Sequence, residues 1–296
     1  MIIFNQIIVQ NFVQYFKHNN TTLRFCQNSN RPAVPALQAQ VIRYRPEFVC
    51  AVRVVCRRQV QQPPSDGSIR CRRAILIVCD DANIDTAIEG AFIAKMRNAG
   101  ESCIAANRLY VHDSIYDEFC RRLVERFADL KVGNGLEDDV DVGPIISRKE
   151  LEKLQAIVAE AVEDGAVVET GGTTLYEKGF FFAPTVLSNV KPGARILDRE
   201  VFGPIAPLVR FRDVESVIQQ ANDTTYGLAA YVFSQDVGKA MRIAQRLNAG
   251  IVGVNRGFVS DPAAPFGGMK ESGIGREGAQ DGIKEFLETQ YIATSW

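Results

Sequence analysis

The sequence predicts an α/β fold with a mostly parallel sheet, on three observations. Apolar runs of strand length recur from about residue 74 onward, amphipathic stretches of helical period alternate with them, and capping or turn residues stand at the junctions. The elements follow in order. AILIV (74–78) is a short apolar run of strand type, and Asp80, Asp81 and Asn83 offer caps for a helix running to Asn98, with Gly100 as its stop. NRLYVH (107–112) reads as a strand. Asp113 is expected to cap a helix that carries Ile115, Phe119, Leu123, Val124, Phe127 and Leu130 on one face. Ser147 and Glu150 form an S-x-x-E capping box before a helix reaching about Asp164. AVVET (166–170) reads as a strand ended by Gly171-Gly172, and FFAPTVL (181–187) as an extended run whose Pro184 suggests a sheet edge. IAPLVRF (205–211), LAAYVF (228–233) and GIVGVN (250–255) are strands, separated by helices at about 213–222 and 236–248.

Composition narrows the class. Hydrophobic residues make up 46% and charged residues 23% of 296, ordinary for a globular protein, and the net charge of −1 gives no attraction to nucleic acid or to an acidic membrane surface. No apolar run is long enough to span a bilayer. The apolar N-terminus is interrupted by Asn5, Gln6, Gln10 and Asn11 and lacks a basic start, so no signal peptide is expected. The seven cysteines are odd in number and contain no CxxC pair, and there are only two histidines, His18 and His112. No metal site is expected, and a reducing, cytoplasmic setting is the simplest reading.

The averages conceal a break near residue 70. Residues 1–70 hold nine Lys/Arg against two acids, a net of +7, whereas the remainder carries −8. The first segment shows neither helical nor strand period, and its cluster Arg53, Arg57, Arg58 reads as a solvated charge run.

Four motifs line up along the rest: MRNAGESC (96–103), REVFGP (199–204), NDTTYGLAAYVF (222–233) and PFGGMKESGIGREG (265–278). At these separations they resemble the C-terminal, catalytic part of the aldehyde dehydrogenase superfamily. VNRGFVSDPAAPFGG (254–268) and the first motif are most similar to the succinate-semialdehyde dehydrogenases. The resemblance covers about residues 74–296 and about the second half of a usual family member. It implies an aldehyde dehydrogenase-like catalytic domain at 74–278 and an oligomerisation segment at 279–296 with a strand near 289–295. On this resemblance the N-terminal cofactor domain is expected to be largely absent, and 1–73, left unassigned, is expected to be poorly ordered. It further implies NAD or NADP as cofactor, a small-molecule aldehyde as substrate, no nucleic-acid or membrane partner, and the family's tendency to homo-oligomers.

The resemblance makes Cys103 the nucleophile. A thiolate attacks the aldehyde carbon, hydride leaves to a nicotinamide, and the resulting thioester is hydrolysed. A free thiol ionises at about pH 8.5, so the turn after Gly100 must favour the anion, and its backbone N–H groups would also hold the oxyanion. The alternative for Cys103 is a small buried hydrophobe. Arg97 matches the arginine that binds the far carboxylate of semialdehydes; otherwise it is a cation at a helix C-terminus. Ser260 falls at the carboxylate-binding serine; otherwise it is a turn residue beside Asp261-Pro262. Glu200 and Phe202 fill the family's E-x-F-G-P motif, in which the acid binds the nicotinamide-side ribose and the ring packs by the nicotinamide; otherwise they are a turn acid and a core ring. Glu101 is a variant of a position often occupied by Gln. GIGREG (273–278) follows a loop, the wrong setting for a dinucleotide fingerprint, and reads as a closing turn and helix entry. Ala105 stands where some relatives carry a second, redox-active cysteine.

Two departures stand out. The family's general base lies in an E-L-G-G motif just before the first strand, and here that place reads DGSIRCRR (66–73). The oxyanion asparagine has no counterpart. The expectation is therefore a truncated or impaired form with little dehydrogenase activity and poor solubility, in which 1–73 arises from a disrupted or misread gene start or, alternatively, is a genuine divergent extension. The alternatives are a non-catalytic remnant that associates with other subunits and a thiol esterase using Cys103 alone.

Overall fold

Five consecutive aliphatic residues, Ala74–Val78, form a strand whose side chains are all buried. Burial on both faces is the signature of a sheet covered by helices on each side. The computed structural model describes residues 74–287 and the strands 40–43 and 49–52, and the chain divides into two compact units, one of residues 63–279 and one of residues 1–62 with 280–296.

In the larger unit a seven-stranded sheet runs in the order Ile251–Val254, Ala229–Phe233, Ala74–Val78, Ala106–His112, Ile205–Phe211, Thr185–Val190, Val167–Thr170. Every neighbouring pair is parallel except the last, where Val167–Thr170 runs antiparallel to Thr185–Val190. The α/β class with a mostly parallel sheet is thus what the alternation predicts. Side chains alternate across the pleat and build two cores. Ala74, Leu76 and Val78 pack with the helices Ile84–Met96 and Tyr116–Ala128 on one face. Ile75 and Ile77 pack with Arg148–Glu163, Val214–Asn222 and Val237–Arg246 on the other.

Local expectations hold with instructive exceptions. Asn83 caps its helix by accepting from the Thr86 amide, and Ser147 accepts from the Glu150 amide at 3.3 Å. The reverse half of the capping box is replaced by an ion pair of Glu150 with Lys153. Asp113 does not cap the helix it precedes. A 3-10 turn, Asp113–Ile115, intervenes, and the Asp113 carboxylate is held by Arg210 and Arg212. Pro184 does not mark an edge. It lies between the short strand Phe181–Phe182 and the interior strand Thr185–Val190, so its missing N–H falls outside the ladder, and the Thr185 amide next to it donates to the Pro204 carbonyl at 2.8 Å. The edge on this side is Val167–Thr170, with Val167 and Val168 exposed, and Ile251–Val254 forms the other.

In the other unit, Gln40–Arg43 pairs antiparallel with Val49–Val52, where the sequence suggests no element, and Gly282–Phe286 forms a 3-10 helix. GIGREG is therefore a turn, with Glu277 bridged to Phe266, and no α-helix begins at its end. The strand expected near 289–295 and most of 1–73 lie outside the described residues. No helix among the described residues is long and apolar enough to cross a membrane.

Candidate active site

The sequence expects Cys103 to follow a helix end, and the structure gives that end an unusual form. The helix stops at Met96, and Arg97–Gly100 makes a 3-10 turn in which Asn98, Ala99 and Gly100 are all left-handed, with φ of 54°, 54° and 77°. Such backbone costs a non-glycine residue roughly 1–2 kcal/mol and persists only where its surroundings enforce it. The Asn98 side chain contributes by donating to the Glu101 carbonyl at 2.8 Å. Cys103 follows, half-buried, packed against the core shared by Ile104, Val259 and Phe266. The amides of Glu101, Ile104 and Ala105 are spent on local acceptors.

Four contacts assemble the site around this turn. Gly100 abuts Gly203, so the turn rests on the E-V-F-G-P segment that holds Glu200 and Phe202, both half-buried. Tyr231, a fully buried residue of the strand Ala229–Phe233, donates its hydroxyl to the Ile104 carbonyl at 2.8 Å. Burial pushes its phenol well up, Cys103 adds to the rise and Arg97 opposes it. The loop after Ile251–Val254 descends on the helix Ile84–Met96, where Gly257 meets the Gly90 backbone. There Arg97 lies over the Phe258 ring, 4.5 Å from its centroid. Arg97 and Phe258 are exposed, and Ser260, two residues along the same loop, is half-buried.

The five sequence-nominated residues thus fall on three segments that share one region: Cys103 and Arg97 on one turn, Glu200 and Phe202 on the segment abutting it, Ser260 on the loop stacked upon Arg97. Cys103 precedes the strand Ala106–His112, and Gly203 precedes Ile205–Phe211, so this region lies at the amino ends of those parallel strands. Open α/β sheets usually bind ligands at the opposite, carboxyl ends. Glu101 turns its carboxylate to the Ile146 amide at 3.2 Å, and burial raises its pKa.

Sequence reasoning passes over Tyr231, Lys95 and the glycine pair Gly90 and Gly257. A signal existed for the first two. A hydroxyl inside the apolar run LAAYVF needs a buried acceptor. Lys95 continues the buried series Ala87, Ala91 at helical spacing, an odd place for an ammonium.

The family model described as the aldehyde dehydrogenase family matches residues 73–292. Over 219 residues the chain is 47% identical to a succinate-semialdehyde dehydrogenase (NADP(+)) of Escherichia coli K12, covering 74% of this chain and 45% of that protein. It is 46% identical over 222 residues to a glutarate-semialdehyde dehydrogenase of Pseudomonas putida, covering 75% and 46%. The crystal structure of succinate-semialdehyde dehydrogenase from Burkholderia pseudomallei matches with a TM-score of 0.74 at 43% identity, covering 75% of this chain and 46% of that one. The chain spans about half the length of the relatives it matches.

Proposed function

The chain belongs to the aldehyde dehydrogenase family, and from that premise we propose that residues 74–278 form the nucleophile-bearing part of a site for oxidising a short acid semialdehyde, succinic semialdehyde foremost, with NAD or NADP. Residues 279–296 serve on this reading to join copies of the chain. The observation that carries the substrate class is Arg97. Its guanidinium is exposed on the turn that leads to Cys103 and is stacked on Phe258. A contact with a ring takes up no hydrogen-bond acceptor, and an exposed guanidinium can grip a carboxylate bidentately. Ser260 adds a hydroxyl from the same loop.

The Cys103 thiolate attacks the aldehyde carbon, and the sulfur–carbon bond forms as the carbonyl oxygen becomes an oxyanion. On this reading the amides of Ser102 and Cys103, for which no acceptor stands among the described residues, receive that charge. A bound oxidised nicotinamide would supply the hydride acceptor that takes the adduct to the thioester level. Glu200 can accept ribose hydroxyls and Phe202 can offer its ring face, so these residues fit the nicotinamide half of the cofactor. Water then releases the acid and restores the thiol. Residues 66–73, DGSIRCRR, supply no glutamate to activate that water, and loss of general-base assistance slows a step by about 10²–10⁴-fold. On this reading the missing glutamate bears on acyl transfer to water.

The test compares alkylation of Cys103 by iodoacetate and by iodoacetamide in folded protein, read by peptide mass spectrometry. The anionic reagent should be preferred over its intrinsic reactivity ratio, and Arg97→Met should abolish the preference. Equal preference in both proteins would sink the carboxylate assignment.

A further inference from the structure

Lys95 lies on the buried stripe of the helix Ile84–Met96 and has no exposed surface. A lysine is almost never fully buried unless its ammonium is matched. Its Nζ donates to the Asn107 side-chain oxygen at 3.2 Å and to the Val201 carbonyl at 3.1 Å. Both acceptors are neutral, and the carboxylate that acts on the ammonium is Glu200, one residue before Val201. Burial drives the Lys95 pKa down to about 7, with Glu200 opposing the fall. The same two segments meet again one turn along. A β-carbon on Gly100 would lie 3.2 Å from the Lys95 carbonyl oxygen as well as hard against Gly203. The side chain and the main chain of one residue thus both border the passage between the helix end and the E-V-F-G-P segment.

We propose that Lys95 is a positioning residue: its buried ammonium ties the Glu200–Phe202 segment to the helix that delivers Cys103, and so fixes the offset between the ribose-binding carboxylate and the nucleophile, a role that rests on the functions proposed above for those two residues. An apolar side chain of the same length would fill the space, but it would remove the Lys95 donor from the Val201 carbonyl and the Asn107 side-chain oxygen, and the Lys95 charge from Glu200. The reach of the side chain suits the task, since the four-carbon stem spans from the helix axis to the neighbouring segment while three N–H donors can serve several acceptors. The offset matters because misplacement of reacting groups by about 1 Å costs on the order of 10²-fold in rate.

The test uses the full chain. In Lys95→Met, which keeps the volume and removes the donors, amide hydrogen exchange of peptides covering 199–204 should accelerate at least tenfold, while peptides from the strand 205–211 stay within twofold of wild type. Unchanged protection at 199–204 in a folded variant overturns the proposal. A second measurement needs no change at Lys95. In lysine-labelled protein the Lys95 side-chain resonance is followed against pH in wild type and in Glu200→Gln. Its midpoint should fall in Glu200→Gln, whereas identical midpoints overturn the tie to Glu200. Cys103 alkylation is recorded on the same samples. A Cys103 no more reactive than a small free thiol would defeat the catalytic reading, while the exchange and titration results would still judge the tie separately.

Discussion

Gly100 stands so close to Gly203 that a β-carbon on it would lie 2.2 Å from the Gly203 carbonyl oxygen. Its φ of 77° is itself a conformation that side chains resist. Gly100→Ala therefore meets two penalties, neither of which the backbone can relieve without separating the nucleophile turn from the E-V-F-G-P segment. Denaturant unfolding should show a loss of about 2–4 kcal/mol, toward the upper end of single-substitution effects. Gly135 is the control, because a β-carbon there would meet nothing within 4 Å and its φ is not left-handed. Gly135→Ala should stay within about 0.5 kcal/mol of wild type.

Tyr231→Phe keeps the ring and removes the hydroxyl that serves the Ile104 carbonyl. Leaving a buried carbonyl without its donor costs roughly 1–3 kcal/mol. Urea denaturation should show that loss, and Cys103, one residue before Ile104, should change its alkylation rate while Cys79 and Cys120 do not. An unaltered Cys103 rate together with unaltered stability would contradict the role given to this hydroxyl.

The three described cysteines should separate cleanly. Burial pushes the thiols of Cys79 and Cys120 up to about 11, whereas Cys103 is half-buried at the turn. At pH 7.5 brief exposure to a thiol reagent should label Cys103 and leave the other two until the protein is unfolded. The same burial has a stability consequence with a definite sign. A thiol whose folded pKa is raised keeps its contribution below the unfolded value, near 9.0, and loses it as pH climbs toward 11. For Cys79, which has no exposed surface, the loss is about 2–3 kcal/mol at 1.36 kcal/mol per pH unit. Cys79→Ala should flatten the decline in stability between pH 9 and 11.

Asp81 joins two strand ends. Its carboxylate accepts from the Ser234 hydroxyl at 2.8 Å, from the Asp236 amide at 2.9 Å and from Lys239 at 3.1 Å. Burial raises its pKa, but these hydrogen bonds outweigh that and hold it down to about 2. A depressed carboxylate stabilises above its unfolded pKa, near 3.8, and the contribution disappears as pH falls through 2. Asp81→Asn should cost about 1–3 kcal/mol at pH 7, and the gap between variant and wild type should close on acidification. A gap independent of pH would show that charge is not the cause.

Much of this molecule is readable from its residues, and the unreadable part has physical reasons. The apolar runs fix the strands of the sheet because Ala74–Val78 and residues 205–209 are buried on both faces, leaving no competing period. The Asp113 cap fails because two arginines from the strand end at 210–212 reach its carboxylate first, a tertiary competition invisible locally. Pro184 misleads because a proline between two strands looks the same in sequence as one within an edge strand. The site residues are nominated by motif, but their assembly depends on glycine contacts, Gly100 with Gly203 and Gly257 with Gly90, whose partners lie roughly 100 and 170 positions apart in the chain. The placement at the amino ends of the strands is readable, since MRNAGESC and REVFGP stand directly before the runs that form Ala106–His112 and Ile205–Phe211.

The seating of Gly257 on Gly90 limits how this architecture can diversify. A β-carbon on Gly257 would lie 2.0 Å from the Gly90 carbonyl oxygen, and one on Gly90 would strike the Phe233 ring. The loop bearing Phe258 and Ser260 therefore has its height above the helix set by main chain rather than by side chains. New specificities in descendants of this fold are then reached by exchanging what the loop displays, one residue at a time, since lengthening or lifting it would first require rebuilding the helix beneath.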